Sequence, residues 1–119
     1  DICNSTILTK TTVWSDYIKV SNNSVVTVIV EAEFPMNTES KQALLSVDYG
    51  KDSIESELRK SKNSEIGYFE YLSAPTNKRI ELLIDLKVPD GCDEIRIGLR
   101  GWKSTQVKVI EAIVSVLNP

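Results

Sequence analysis

Six side chains in two short stretches have the types and spacing to hold a ligand: Trp14, Asp16 and Tyr17 in one, Arg96, Arg100 and Trp102 in the other. An aromatic ring stacks on the apolar face of a sugar, while a carboxylate or guanidinium beside it meets the hydroxyls. Trp102 and Trp14 are the candidate platforms, Tyr17 accompanies Trp14, and Arg100, Arg96 or Asp16 would set orientation. The plainer readings are core packing for the tryptophans and solvated surface for the arginines. Of the other aromatics, Tyr49 runs in phase with Leu45 and Val47 and reads as core. Tyr68 and Tyr71 are an odd number of residues apart and cannot share a strand face.

Catalytic chemistry finds less support. The chain has no histidine, so neither a serine nor a cysteine nucleophile can pair with one. Carboxylates at Asp48, Asp52, Glu55, Glu70, Asp85 and Glu111 could formally supply the pair that glycoside hydrolysis needs, but they read more simply as the polar sides of strands. The expectation is a chain that is not an enzyme on its own. Cys3 and Cys92 are the two cysteines; with no CxxC spacing and no histidine they make no transition-metal site. Their pairing depends on whether the first strand ends near the Cys92 turn, which spacing does not decide.

Composition sets the frame for this chemistry. With 119 residues, 41% hydrophobic and 26% charged, the chain reads as one globular domain over 1–119, burying about 65% of its unfolded surface. Its 14 basic and 17 acidic residues leave a net charge of −3, without the field that gathers phosphates, so nucleic acid is not an expected partner. Arg59-Lys60 with Lys62 is flanked by Glu55, Glu57 and Glu65 and reads as a solvated loop. No apolar run approaches the roughly 20 residues of a membrane helix, and Asp1-Ile2-Cys3-Asn4 has no signal-peptide character. No membrane insertion is expected; a mature or excised fragment in an extracellular or cell-surface setting is favoured over a cytoplasmic one.

The elements that must position these residues are strands. Val26, Val28, Val30, Ala32 and Phe34 share one side of a strand that Pro35 ends. Leu45, Val47 and Tyr49 repeat the pattern before Gly50. Tyr68 to Leu72 is a short aromatic strand followed by the turn Ala74-Pro75-Thr76-Asn77. Ile80, Leu82, Ile84, Leu86 and Val88 face inward from the next, and Pro89-Asp90-Gly91 turns the chain into Ile95, Ile97 and Leu99, with Arg96 and Arg100 outward. In the last strand, Val107 to Leu117, the alternation slips near Val109-Ile110, which predicts a bulge in a central strand. Asp52 to Lys62 is compatible with a short helix capped by Asp52, with Ile54 and Leu58 on one side, or with an irregular connection or short edge strand. The fold class is all-β, an antiparallel two-sheet sandwich.

From Ile80 to Trp102, an alternating strand ends in Val88-Pro89, turns at Gly91, and continues through Ile95, Ile97 and Leu99 to Arg100-Gly101-Trp102. With the closing Val107 to Leu117 strand, this stretch resembles the C-terminal half of jelly-roll carbohydrate-binding modules and related galactose-binding-like domains; the remainder of the chain resembles them in strand spacing. The resemblance implies a jelly roll, a sugar site at the loop ends or on an open sheet, and a structural calcium ion, for which Glu111 with Glu31 or Glu33 are the nearest ligands. The resulting expectation is a non-catalytic carbohydrate-binding or carbohydrate-associated module of a larger bacterial glycan-active protein. The alternative is a structural or oligomerisation sandwich that binds a neighbouring domain through the same aromatics, burying outward apolar residues such as Leu83 and Ile29.

Overall fold

A computed structural model of the chain describes residues 2–34, 42–51, 53–73, 79–103 and 106–118. They form two antiparallel sheets packed as a sandwich. The strands are β1 (Cys3–Ile7), β2 (Val13–Trp14), β3 (Ile18–Lys19), β4 (Val25–Glu33), β5 (Ala43–Asp48), β6 (Arg59–Lys60), β7 (Tyr68–Leu72), β8 (Arg79–Lys87), β9 (Glu94–Gly101) and β10 (Lys108–Leu117). One sheet has the order β1-β10-β4-β8, and the other β2-β9-β5-β7-β6 with β3 also paired to β9.

The core is the meeting of the inward rows. Val26, Val28, Val30, Ala32 and Phe34 are buried from one sheet, and Leu45, Val47, Ile95, Ile97 and Leu99 from the other. Each Val, Leu, Ile or Phe among them is worth about 1.5–3 kcal/mol when removed from water, which fixes the register, since a slip of one residue would turn a whole row outward. The slip read in the last strand is a bulge. Val109 pairs with Ala32 and Glu111 with Glu31, so Ile110 is the extra residue of β10, and Ser5 of β1, with φ 48°, lies opposite it. Gly91 takes φ 83° in the turn between β8 and β9, a conformation glycine enters without a Cβ penalty.

Of the readings open for the segment after β5, the irregular connection with a short edge strand is the one described. Asp52, Pro35 and the turn Ala74-Pro75-Thr76-Asn77 lie outside the described residues, as does the side chain of Ile80, but residues 53–62 contain no helix. The Ile54 carbonyl accepts from the Tyr68 hydroxyl at 2.9 Å, and Ser56 Oγ meets the Tyr49 hydroxyl at 2.7 Å and the Leu58 N–H at 3.2 Å. These tyrosines hold the segment flat against the sandwich, with Ile54 buried, and Arg59–Lys60 joins as a short edge strand. In β5, Leu45 and Val47 face the core as their alternation predicts, and Leu44 and Ser46 on the outer face are buried as well. The loop between β6 and β7 covers its outer side: the Thr12 hydroxyl donates to the Glu65 carbonyl at 2.9 Å and the Thr12 N–H to the Glu65 carboxylate at 3.3 Å. Leu44 and Ile66 are buried without belonging to the inter-sheet core.

Cys3, on β1, and Cys92, after the Gly91 turn, are both free thiols. Burial pushes both above the usual thiol range, and the Cys92 thiol donates to the Glu94 carbonyl at 3.2 Å. A protonated, shielded thiol is a poor nucleophile. In native protein at neutral pH, Cys92 is expected to react with a disulfide indicator far more slowly than in urea, and unreduced, unfolded protein to release two equivalents of chromophore. Fewer than two equivalents would mean that the thiols pair in solution.

Candidate functional site

The outward side of the six-stranded sheet gathers most of the ligand candidates, and register explains why. Arg100 pairs with Leu44 and Leu44 with Tyr71; Gly98 pairs with Ser46 and Trp14, and Ser46 with Phe69; Arg96 pairs with Asp48. Side chains of directly paired residues point to one face, so these rows lie on the side opposite the core. Trp102, two residues beyond Arg100, continues along it.

One end of this face is a closed clamp. Arg96 Nε donates to Asp48 Oδ2 at 2.9 Å, and its guanidinium lies 4.4 Å from the Trp14 ring centroid and 5.0 Å from that of Tyr17. The Tyr17 hydroxyl donates to the same Asp48 oxygen at 2.7 Å, and the Gly50 N–H donates to the other at 2.9 Å. Partial burial, the largest single influence on Asp48, opposes its ionisation, but the hydrogen bonds from Gly50, Tyr17 and Arg96 and the Arg96 charge together bring the carboxyl below its usual range. The bond to Asp48 is in turn the main reason the Tyr17 phenol is raised.

A group whose folded pKa is depressed adds stability above its unfolded value and loses it as pH falls through the folded one. Asp48→Asn is expected to lower stability by about 2 kcal/mol near neutrality, the scale of charged hydrogen bonds lost in a half-exposed setting. That deficit should begin to shrink as pH falls below the ordinary aspartate value of about 4 and be lost through the lower folded value, where the native carboxylate itself protonates. Urea titrations of both proteins across this range check it; a deficit independent of pH would mean that Asp48 acts through shape rather than charge.

The other end of the face is an open aromatic run. The rings of Phe69 and Tyr71 meet edge to face at 5.3 Å, and those of Tyr71 and Trp102 at 5.4 Å. Arg59 lies over Tyr71 at 5.5 Å and Lys103 beside Trp102 at 5.9 Å. All three rings are half-buried. Arg100 Nη1 and the Ser46 hydroxyl are out of solvent, and neither has a hydrogen-bond partner among the described residues.

Of the residues picked from sequence, Trp102 and Arg100 therefore fall in the open run and Arg96, Trp14 and Tyr17 in the clamp. Asp16 is exposed, and its backbone carbonyl accepts from the Ser15 hydroxyl; Asp48 is the carboxylate that meets the arginine. Sequence reasoning did not assign Phe69, Tyr71 and Asp48 to this face, although strand parity carries the signal: Asp48 alternates with Val47, and both aromatics alternate with Glu70.

The remaining carboxylates lie elsewhere. Glu55, Glu70 and Asp85 line a 480 Å³ cleft where the sandwich edges meet, with Glu57 and Asp90. Glu111 and Glu31 face each other across β10 and β4, with Glu81 beyond and Asn4 before, on the outer side of the four-stranded sheet; Glu33 is one row over. This flat row does not fit calcium, which takes six to eight oxygens from a cage, and among the described residues no group of three or more acidic or thiol side chains could hold a metal. No described helix is long and apolar enough to cross a membrane.

The class defined by these features is an all-β, two-sheet sandwich with an aromatic patch open on one sheet. No protein-family model, curated protein or solved structure matches the chain.

Proposed function

We propose that the chain is a non-catalytic carbohydrate-binding module with a jelly-roll fold, serving a larger bacterial glycan-active protein at or outside the cell surface. The observation that carries this reading is the Phe69-Tyr71-Trp102 run, open on a sheet face beside Arg59 and Arg100. The half-exposed Phe69 and Trp102 offer apolar ring surface to a pyranose, and the arginines supply donors for its oxygens. The strand orders support the jelly roll: along the chain β1, β4, β8 and β10 fall in one sheet and the intervening strands in the other, as the crossings of two Greek keys require. The absence of histidine from the sequence and the engagement of Asp48 by Arg96 favour binding over catalysis. A glycan-array screen of the chain, with calcium and again with chelator, tests the reading. Reproducible binding to a saccharide class supports it, and silence across broad bacterial and plant sets overturns it.

A second reading, a structural or oligomerisation sandwich, draws on the opposite sheet. Ile113, Ile29 and Leu83 form an apolar row in direct register across three strands, with Leu83 64% exposed. Light scattering after size exclusion separates the readings: a monomer that binds sugar fits the first, and a stable oligomer without sugar affinity fits the second.

A further inference from the structure

The sandwich is open along β8. This strand ends its sheet, and no described strand lies beyond it. It runs nine residues, Arg79–Lys87, in unbroken register with β4. The Val88 N–H donates to the Ser24 carbonyl at 2.9 Å, and an antiparallel pair alternates residues that bond the neighbouring strand with residues that point away from it. Glu81, Leu83, Asp85 and Lys87 therefore turn their backbone N–H and C=O groups toward the free edge. A long edge interrupted by neither proline nor bulge is a template for another strand.

The core-facing row of β8 is also incompletely covered. Val26, Val28 and Val30, one strand in, are fully buried, whereas Leu82, Ile84 and Leu86 are half-buried. Beneath them the two sheets part. Glu70 shares a face with its partner Leu45, which is in the core, yet Glu70 is exposed, because it opens into the 480 Å³ cleft that Leu86, Leu58, Glu55 and Glu57 also line. Of the side chains lining this cleft, five are carboxylates and one, Lys87, is a cation. Asp85 is held by the Thr27 hydroxyl at 2.7 Å. Glu55, Glu57 and Glu70 are exposed and have no hydrogen-bond or ion-pair partner among the described residues.

We propose that β8 is a strand-addition edge for an extended, cationic peptide segment of another protein. The segment lies antiparallel to β8 and bonds the edge groups of Glu81, Leu83 and Asp85 through its own backbone. Its side chains alternate between the two faces. An apolar one on the outer face extends the row of Ile113, Ile29 and Leu83 by one strand. Those turned inward are lysines or arginines, because the inner face asks for an apolar stem along Ile84 and Leu86 and a positive head at Glu70, Glu55 and Glu57. A second copy of β8 does not meet these demands: with Leu83 set on Leu83, Glu81 would face Asp85 of the copy, and like charges directly opposite are destabilising. The proposal uses none of the residues of the aromatic run and goes beyond the carbohydrate reading.

The probe is a fluorescein-labelled peptide as long as β8, alternating valine and lysine, titrated against the chain and followed by anisotropy. Replacing its lysines by glutamate is expected to weaken binding by more than about tenfold, and added salt to weaken the lysine peptide. Facing residues of an antiparallel pair share a side, so the valines carry the N–H groups that bond β8 and the lysines point theirs away. N-methylation of the valines is therefore expected to abolish binding, and N-methylation of the lysines to leave it. In the chain, Glu70→Gln and Glu55→Gln are each expected to weaken the lysine peptide about two- to fivefold, the scale of one exposed ion pair. Equal binding of the lysine and glutamate peptides would overturn the proposal, as would no binding of either. Equal binding of the two methylated peptides would mean that a polycation adheres without adding a strand, which also overturns it. A dimer seen by light scattering and dissolved by Leu83→Lys would give the edge to a second copy instead. None of these results bears on the glycan array, so this proposal and the carbohydrate reading fail separately.

Discussion

Trp102→Ala is expected to abolish measurable saccharide binding while leaving the sandwich folded. The indole lies just past the end of β9 and outside the inter-sheet core. Its described ring neighbour is Tyr71, met edge to face at 5.4 Å, and such a pair is worth about 0.5–1.5 kcal/mol. The stability loss should therefore stay near 1 kcal/mol. The loss in binding should be greater, because the substitution removes a stacking surface worth several kcal/mol when a sugar ring desolvates it; weak module affinities then fall beyond detection. Urea denaturation and titration of the same preparation check both halves. A stability loss of about 3–5 kcal/mol, the size expected for an aromatic taken from a core, would identify Trp102 as a packing residue.

Trp14, the other candidate platform, is expected to behave differently. Its ring is backed by Gly98 and fronted by the Arg96 guanidinium at 4.4 Å. A ring occupied in this way has no face to offer a sugar.

The long strands were legible because each carries a two-residue period with enough apolar bulk to fix its register. Val26 to Phe34 and Ile95 to Leu99 face the core as their alternation predicts, and the slipped period at Val109-Ile110 became the bulge of β10. The short strands were not. In β1, Cys3-Asn4-Ser5-Thr6-Ile7 has few apolar residues and a left-handed Ser5, so local pattern says little and pairing with β10 decides. The candidate site divides along the same line. Arg96 and Arg100 were placed on one face by parity alone, but the partners that give each its character come from β5, β7 and the segment before β3. Such neighbours are set by strand order, which no local periodicity encodes. The cover over Leu44 and Ser46 was hidden for the same reason: Thr12 and Glu65 meet across 53 residues of sequence.

Gly98→Val is expected to be the most damaging single substitution on this face, costing about 3 kcal/mol or more. Even the first atom of a side chain has no room at Gly98. A Cβ there would lie 2.5 Å from Thr12 Cγ2 and 2.8 Å from the Trp14 ring, inside the distance that real Cβ contacts keep. Overpacking of this kind typically costs about 1–3 kcal/mol for added methylenes, and a β-branched side chain, stiff at χ1, cannot turn away from both neighbours. The atoms in the way anchor the rest of the face. Thr12 ties down the β6–β7 loop through Glu65, and Trp14 stacks on the guanidinium that Asp48 holds. Displacing them should expose Leu44 and Ser46, loosen Arg96, and redshift the fluorescence of Trp14 as water reaches it, all before the inter-sheet core gives way. Tryptophan emission in a Trp102→Phe background, followed against urea, would record this as an early loss of the Trp14 environment ahead of the far-ultraviolet transition. A single coincident transition with an unchanged midpoint would mean that the close approach at Gly98 relaxes without cost and that Trp14 and Thr12 do not hold the face together.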